Sequence, residues 1–297
     1  GFDGVNYVLR AVRITTAGTV VDKTPLAIRT SAGVIQEPRL ACANTGTCLV
    51  TWTASGTSSL DVFAARLLGD GSLPDGTGTP VAATSAQEGS ADVAWDGSRF
   101  LVVWDKAATS DRDIQGIRVG LDGKLVDTSP IDIGTGTADQ SQPCVASDGV
   151  TGAQVTWIEP VGMNVATARL GTDGKPVSGT YKVLDSTGYG GRARLAFDGA
   201  SYQVVWDGGS SDRLIRAARV SVAGVPDAMI TLANAVEEQS APSIACIGTT
   251  PCAVAWADQR PLASGTFFNI SDIYGVRVAS ARRSTATGSS SRPAPSA

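Results

Sequence analysis

The chain is 297 residues long, 42% hydrophobic and 18% charged, with a formal net charge of −4. That balance supports a large core rather than a disordered segment, offers no basic face to nucleic acid, and contains no apolar run near the ~20 residues that cross a bilayer. Histidine is absent altogether, which removes the usual general base, the usual zinc ligand and every Ser-His or Cys-His nucleophile pair, so the composition predicts no metal, no cofactor and no enzyme.

The chain opens without Met or a signal-peptide pattern and reads as a mature or trimmed chain. Phe2-Asp-Gly-Val-Asn-Tyr-Val8 matches Phe197-Asp-Gly-Ala-Ser-Tyr-Gln-Val204, a hairpin, yet Arg10-Ala-Val-Arg-Ile14 follows at once. The intervening Trp and loop are missing there, which marks an incomplete first unit.

Five tryptophans then recur at Trp52, Trp104, Trp157, Trp206 and Trp256, with gaps of 52, 53, 49 and 50 residues. A fixed period near fifty means one supersecondary unit copied along the chain. Aligned on the Trp, each unit has four short apolar runs. The first is Pro25-Leu-Ala-Ile28 and its equivalents, and the second ends in a hairpin turn such as Asp96-Gly97. The third is the Trp run. The fourth carries a fixed arginine: Arg13, Arg66, Arg118, Arg169, Arg219 or Arg277.

Runs of 4–8 residues bounded by Gly, Pro, Asp and Ser read as strands, and Asp-Gly suits tight hairpins. The predicted fold is therefore an all-β β-propeller of four-stranded blades over residues 1–280, six blades with an incomplete first, or five. Residues 281–297, rich in Ser, Pro and Thr, are predicted to be a flexible tail.

Four of the five cysteines form matching pairs, Cys42/Cys48 and Cys246/Cys252, ten and four residues before their Trp. Other units put Ala94/Phe100 and Ala196/Tyr202 at those positions, as expected of cross-strand neighbours. Two disulfides and an oxidising compartment follow. Cys144 falls outside this register and reads as a buried thiol.

Trp104-Asp105, Asp272-Ile-Tyr-Gly-Val-Arg-Val278 and Leu121-Asp-Gly123 resemble the repeat units of secreted bacterial β-propeller proteins, over nearly the whole ordered chain. The resemblance implies an extracellular or cell-surface protein (or a periplasmic one), often within a larger architecture, and carries over no catalytic residue.

Several positions could carry function. The five repeated Trp are expected in the core, while Trp95 is nearer the surface and a candidate contact. The repeated Arg is expected to pair with the carboxylates after the Trp (Asp105, Glu159, Asp207 and Asp258), with a small residue two positions earlier making room for its stem. A polar position sixteen or seventeen residues before the Trp recurs as Gln36, Gln87, Gln140, Tyr189 and Gln239. Amides both donate and accept, so such a set could bind sugar hydroxyls. The Asp-Gly turns, with Asp75 and Asp127 five residues beyond two of them, lack the spacing of a calcium loop and read as turns. Phe267 and Phe268 stand together in a long loop as a candidate contact.

The leading expectation is a secreted, non-catalytic module binding a glycan or a protein surface through repeated sites. Its rival is a glycoside hydrolase or lyase built on loop carboxylates such as Glu88, Asp139, Glu237 and Glu238. A third reading is a structural module of a larger surface assembly.

Overall fold

A computed structural model describes the chain except residues 57–58, 108–110, 137, 161–162, 188–190, 210–212, 236–237, 250, 260–270, 280–281 and 284–297. Phe267, Phe268, Tyr189 and Glu237, and most of the predicted tail, therefore lie outside the described residues. The chain is all-β, with five four-stranded antiparallel sheets and one two-stranded sheet among the described residues. It divides into two compact units, Gly1–Thr137 with Ser141–Pro143, and Ala138–Gln140 with Cys144–Ala297.

The first unit holds the two-stranded sheet of β1 (Tyr7–Ala11) and β2 (Leu26–Ser31). Next comes the sheet of β3 (Ile35–Cys42), β4 (Cys48–Ser55), β5 (Leu60–Leu67) and β6 (Thr79–Ala82), in that order. Then follow β7 (Glu88–Trp95), β8 (Phe100–Ala107), β9 (Arg112–Val119) and β10 (Ile131–Gly134). The boundary between units falls within β11 (Ser141–Ser147), which pairs in a sheet with β12 (Ala153–Glu159), β13 (Asn164–Leu170) and β14 (Lys182–Asp185). The second unit also contains β15 (Arg194–Phe197), β16 (Ser201–Gly208), β17 (Leu214–Ser221) and β18 (Ile230–Ala233). Its last sheet comprises β19 (Gln239–Ala245), β20 (Cys252–Asp258), β21 (Asp272–Ala279) and the short β22 (Arg282–Arg283).

The sheet order corrects the phase of the repeat read from the sequence. The Pro-led run does not begin a sheet. It closes the sheet begun by the preceding unit, as when Thr79 and Pro80 of β6 pair with Ala64 and Phe63 of β5. The cause is an ion pair that also corrects the expected partner of the repeated arginine. Arg66, at the end of β5, binds Asp75 rather than a carboxylate after the Trp: its backbone N–H and Nε donate to Asp75 at 2.8–3.1 Å and its Nη2 at 2.6 Å. Arg13 holds Asp22 and Arg118 holds Asp127 through the same donors. Each carboxylate sits nine residues after its arginine, so the pair folds the loop back and lays the next run on the arginine strand. Arg169 achieves the same return with a hydroxyl, its N–H donating to Thr180 Oγ1 at 3.1 Å.

The same guanidinium also reaches the following sheet. Arg13 Nη1 donates to Gly69 O at 2.9 Å, Arg66 Nη1 to Leu121 O at 3.2 Å and Arg169 Nε to Val222 O at 2.5 Å. Those carbonyls belong to the turns that follow the next arginine strand. Glycine is required there: a Cβ at Gly71 (φ +91°) would lie 2.9 Å from Arg13 Cζ, and one at Gly123 (φ +80°) 2.9 Å from Arg66 Nε.

Between sheets lies the apolar core. Trp52, Trp104 and Trp206 are fully buried, Trp157 and Trp256 nearly so. Trp104 shares a cluster with Val62 and Ala64 of the preceding sheet, and Trp256 with Ile215 and Ala217. The small residue two before the arginine thus makes room for the core against the next sheet, not for the arginine stem. Burying an indole of this size contributes on the order of 3 kcal/mol.

Both predicted disulfides are present, Cys42–Cys48 and Cys246–Cys252, and Cys144 is buried and belongs to neither. Their counterparts differ by one residue from expectation. Trp95 pairs with Phe100 and Phe197 with Tyr202 across the hairpin, with ring centroids 4.9 and 5.1 Å apart. Phe2 and Tyr7 make the same 5.1 Å contact at the start of the chain. The shift arises because the Asp-Gly hairpins are one residue shorter than the cystine ones. Trp95 is accordingly half-buried against Phe100 rather than presented on the surface.

Arg66→Ala strands the Asp75 carboxylate and the Leu121 carbonyl together, and is expected to cost about 1.5 kcal/mol or more in urea unfolding at neutral pH. The loss should shrink as pH falls, because the guanidinium holds Asp75 below its ordinary pKa of 3.8 and protonation removes the ion pair. An equal loss at pH 3 and pH 7 would refute the ion pair as its source.

Candidate functional site

At the end of each sheet away from those turns, the Trp strand runs on into polar residues. Asp105 and Asp207 follow their Trp directly; Glu159 and Asp258 come two residues later. Opposite them, the first strand of the sheet is bulged, with register shifts between Gln36 and Arg39, Gly89 and Asp92, and Ser240 and Ser243. One residue near each bulge, and Gln142 in β11, adopts positive φ without being glycine: Glu37 52°, Ser90 50°, Gln142 55° and Ala241 52°. Side-chain-bearing residues hold that conformation at a cost of about 1–3 kcal/mol, and only where surrounding contacts enforce it.

In the first unit Asp105 supplies such a contact. Its Oδ2 accepts the Gln142 N–H at 3.1 Å, and its Oδ1 is bound by Arg112 Nη1. Arg112 Nη2 in turn donates to Gln87 Oε1 at 3.2 Å. Asp105 is 3% exposed, and each of its oxygens has a donor.

Asp207 occupies the matching place in the second unit, but differently. It is 2% exposed and packs against Gly191, where an added Cβ would sit 2.2 Å from Oδ2. Arg213 Nη1 lies 3.5 Å from Oδ2 and 3.1 Å from Glu238 Oε1. Asp207 Oδ1 is buried with no hydrogen-bond partner among the described residues. Burial pushes its pKa up; Arg213 opposes this, Glu238 adds to it and Arg194 opposes it. Glu238 is half-exposed on Arg213. The two carboxylates thus share one guanidinium nitrogen, one acid desolvated and the other open to solvent.

The other acids near this end are otherwise engaged. Asp258 accepts from Trp256 Nε1 at 3.2 Å, and Glu159 from Tyr181 Oη at 3.0 Å; burial, and then this hydrogen bond, raise the tyrosine pKa to about 12. Glu88 is fully buried and takes the Thr84 hydroxyl, so it caps its own loop. Asp139 is partly buried. No group of three or more acidic or cysteine side chains suited to a metal occurs among the described residues.

The repeated amides do not share one environment. Gln36 and Gln87 are exposed, whereas Gln140 and Gln239 are buried. Gln239 Nε2 donates to Ala235 O at 3.1 Å. The arginines Arg112 and Arg213 were missed from sequence. Their signal is an arginine seven residues after Asp105 and six after Asp207, a pattern shared by two units only.

No protein-family model and no curated protein matches the chain. Solved structures do match in fold. A subtype N10 neuraminidase-like protein of A/little yellow-shouldered bat/Guatemala/060/2010 is 11% identical, with a TM-score of 0.53, covering 87% of this chain and 83% of that one. An endo-arabinase from Bacteroides thetaiotaomicron VPI-5482 is 10% identical with a TM-score of 0.48, covering 82% and 93%. An alpha-L-arabinofuranosidase from Podospora anserina in complex with cellotriose is 12% identical with a TM-score of 0.46, covering 81% and 89%. The fold is that of a β-propeller. The expectation that the chain is not an enzyme is corrected here: the solved structures similar to it in fold are mostly glycoside hydrolases, with a sialidase among them.

The raised pKa of Asp207 makes a signed prediction. Folding favours its protonated form, so its contribution to stability is fully present below the unfolded value near 3.8 and is lost as pH rises through the folded one. Asp207→Asn should therefore be at least as stable as the parent at pH 7, with the difference closing near pH 3. Thermal unfolding at the two pH values checks this; a variant destabilised at pH 7 contradicts it.

Proposed function

We propose that the protein is a glycan-acting enzyme that cleaves a glycosidic bond, with Asp207 and Glu238 as its two carboxyl groups. The observation that carries this reading is the shared Arg213, which holds a proton-favouring buried acid and an exposed acid on one nitrogen. Glycosidic cleavage needs such a pair, one carboxyl protonated to assist the leaving oxygen and one ionised to act as base or nucleophile. Their oxygens can be no further apart than those two contacts laid end to end, below the ~9.5 Å upper limit for such pairs.

In this reading Asp207 is the general acid. Burial raises its pKa, which favours the protonated form that a general acid needs. Glu238, half-exposed beside Arg213, meets the sugar as base or nucleophile. Arg213 lowers the energy of the charge left on both when the proton departs. The lack of histidine is no obstacle, because carboxylates do both proton transfers.

The two cystines support action outside the reducing cytosol. The likeness of the units to those of secreted bacterial propeller proteins agrees with a secreted or surface location, with residues 1–280 as the repeat array and 281–297 as its tether.

The test is turnover of a panel of aryl glycosides and polysaccharides. Asp207→Asn and Glu238→Gln should each lower kcat by ~10²–10⁴, with a melting temperature no lower than the parent's. The basic limb of the pH profile should disappear only in the Asp207 variant. A folded parent that cleaves nothing in the panel, or variants as active as the parent, would sink the proposal.

A further inference from the structure

The Trp that precedes Asp207 is tied to the neighbouring sheet by a buried carboxylate. Asp185, at the end of β14, is 4% exposed, and its Oδ2 accepts Trp206 Nε1 at 2.8 Å and Arg216 Nη1 at 2.6 Å. Its Oδ1 accepts the backbone N–H and the hydroxyl of Thr187 at 2.9 and 2.8 Å. The same carboxylate lies against Gly208, where an added Cβ would sit 3.2 Å from Oδ2. Trp206 and Gly208 flank Asp207 in the chain, so one acid of the preceding sheet holds the residues on both sides of it.

This tie does not recur among the described residues. Trp52, Trp104 and Trp157 have no hydrogen-bond partner on Nε1, and Trp256 donates to Asp258 of its own strand. Register gives the cause. Asp185 pairs with Val165 of β13, and the equivalent residues of β6, β10 and β18 are Ala82, Gly134 and Ala233. Around Trp104 the core holds Ala82, and Gln115 pairs across the strand, where Trp206 has Asp185 and Arg216. A core Trp therefore packs without the acid. A buried ion pair is weak evidence of stability, whereas a carboxylate shared by Trp206, Arg216 and Thr187 fixes where each of them sits.

Asp207 also has a seat. Gly191 donates its N–H to Asp207 O at 2.7 Å, and a Cβ at 191 would meet the carboxyl atoms at 2.2–2.5 Å. The Cβ of an alanine at Gly89 would lie an ordinary 3.5 Å from Asp105 Oδ1. The Asp207 carboxyl thus rests on bare backbone, and Thr187, four residues before Gly191, is bound to the same Asp185. We propose that Asp185 is a positioning residue for Asp207, pinning Trp206 and Gly208 so that the acid stays seated on Gly191. The catalytic part of this inference rests on the glycan-cleaving reading above; the seating of Asp207 does not.

Carboxyl-carbon NMR titration of the whole chain, with the Asp207 signal assigned through Asp207→Asn, tests it together with turnover of aryl glycosides. Asp185→Ala combined with Arg216→Gln removes the pin and rebuilds the surroundings of Trp104. Net charge is unchanged, and Arg213, Glu238 and Arg194 still act on Asp207. The expected result is an Asp207 midpoint that falls toward the ordinary 3.8 as water reaches the carboxyl. In the same variant kcat should fall ~10²-fold with KM unchanged. Gly191→Ala, which unseats the carboxyl and spares the pin, should do the same, and Gly89→Ala should do neither. A midpoint or a kcat left unmoved in the Asp185 variant overturns the proposal, as does a parent midpoint at 3.8 or a midpoint unmoved by Gly191→Ala. A parent that cleaves nothing sinks the glycosidase reading alone, and the midpoints then decide whether Asp185 seats Asp207.

Discussion

An arginine at the end of the third strand of a sheet is the contact on which the other features depend. One guanidinium performs two tasks: Nε and Nη2 of Arg66 fix Asp75 nine residues on, and Nη1 takes Leu121 O from the next sheet. The first task returns the chain along the strand it has just left and so sets which run joins which sheet. The second ties neighbouring sheets through a group whose planar fork can serve both at once, which a lysine ammonium could not. Because both partners are backbone or near-backbone, the unit can vary its loops and core without losing the tie. Arg169 shows the tolerance, using Thr180 for the return and keeping the carbonyl of Val222.

The hairpin tips solve a second problem by interchangeable means. Where first and second strands meet, the sheet must hold its end closed against fraying. Phe2 with Tyr7, Trp95 with Phe100 and Phe197 with Tyr202 do so by ring contact, while Cys42–Cys48 and Cys246–Cys252 do so covalently. A tilted ring pair contributes about 0.5–1.5 kcal/mol beyond its buried area, and a disulfide closing so short a loop about 2 kcal/mol. The covalent version thus replaces a contact of similar order. Tyr202 does more than its counterparts, since its hydroxyl also accepts the Asp148 N–H of the preceding hairpin.

Much of this was legible in the residues, and the illegible part has a physical cause. A Trp every fifty residues ending an apolar run can only be a repeated core position, and paired cysteines in a hairpin can scarcely avoid each other. The arginine's partner was ambiguous because two carboxylates per unit lie within reach on paper. Asp105 is close across a strand pair and Asp75 is close only once the loop has folded, which sequence spacing does not disclose. That one ambiguity carried the phase of the repeat with it. Nor could sequence separate Asp105 from Asp207, which hold the same position after the same residue.

In the proposed reading, those two aspartates show how a copied unit comes to hold a reactive group. At Asp105 every oxygen is matched: the strained Gln142 amide takes one, Arg112 the other, and Gln87 steadies Arg112. A carboxylate so matched by fixed donors holds a bulge in place. At Asp207 the arginine stands off at 3.5 Å and is shared with Glu238, and one oxygen has no donor. Removing donors from a buried acid shifts its balance toward the proton without moving it in the fold. The step from structural carboxylate to proton donor therefore needs no new scaffold. It needs only the loss of contacts that a sister unit retains.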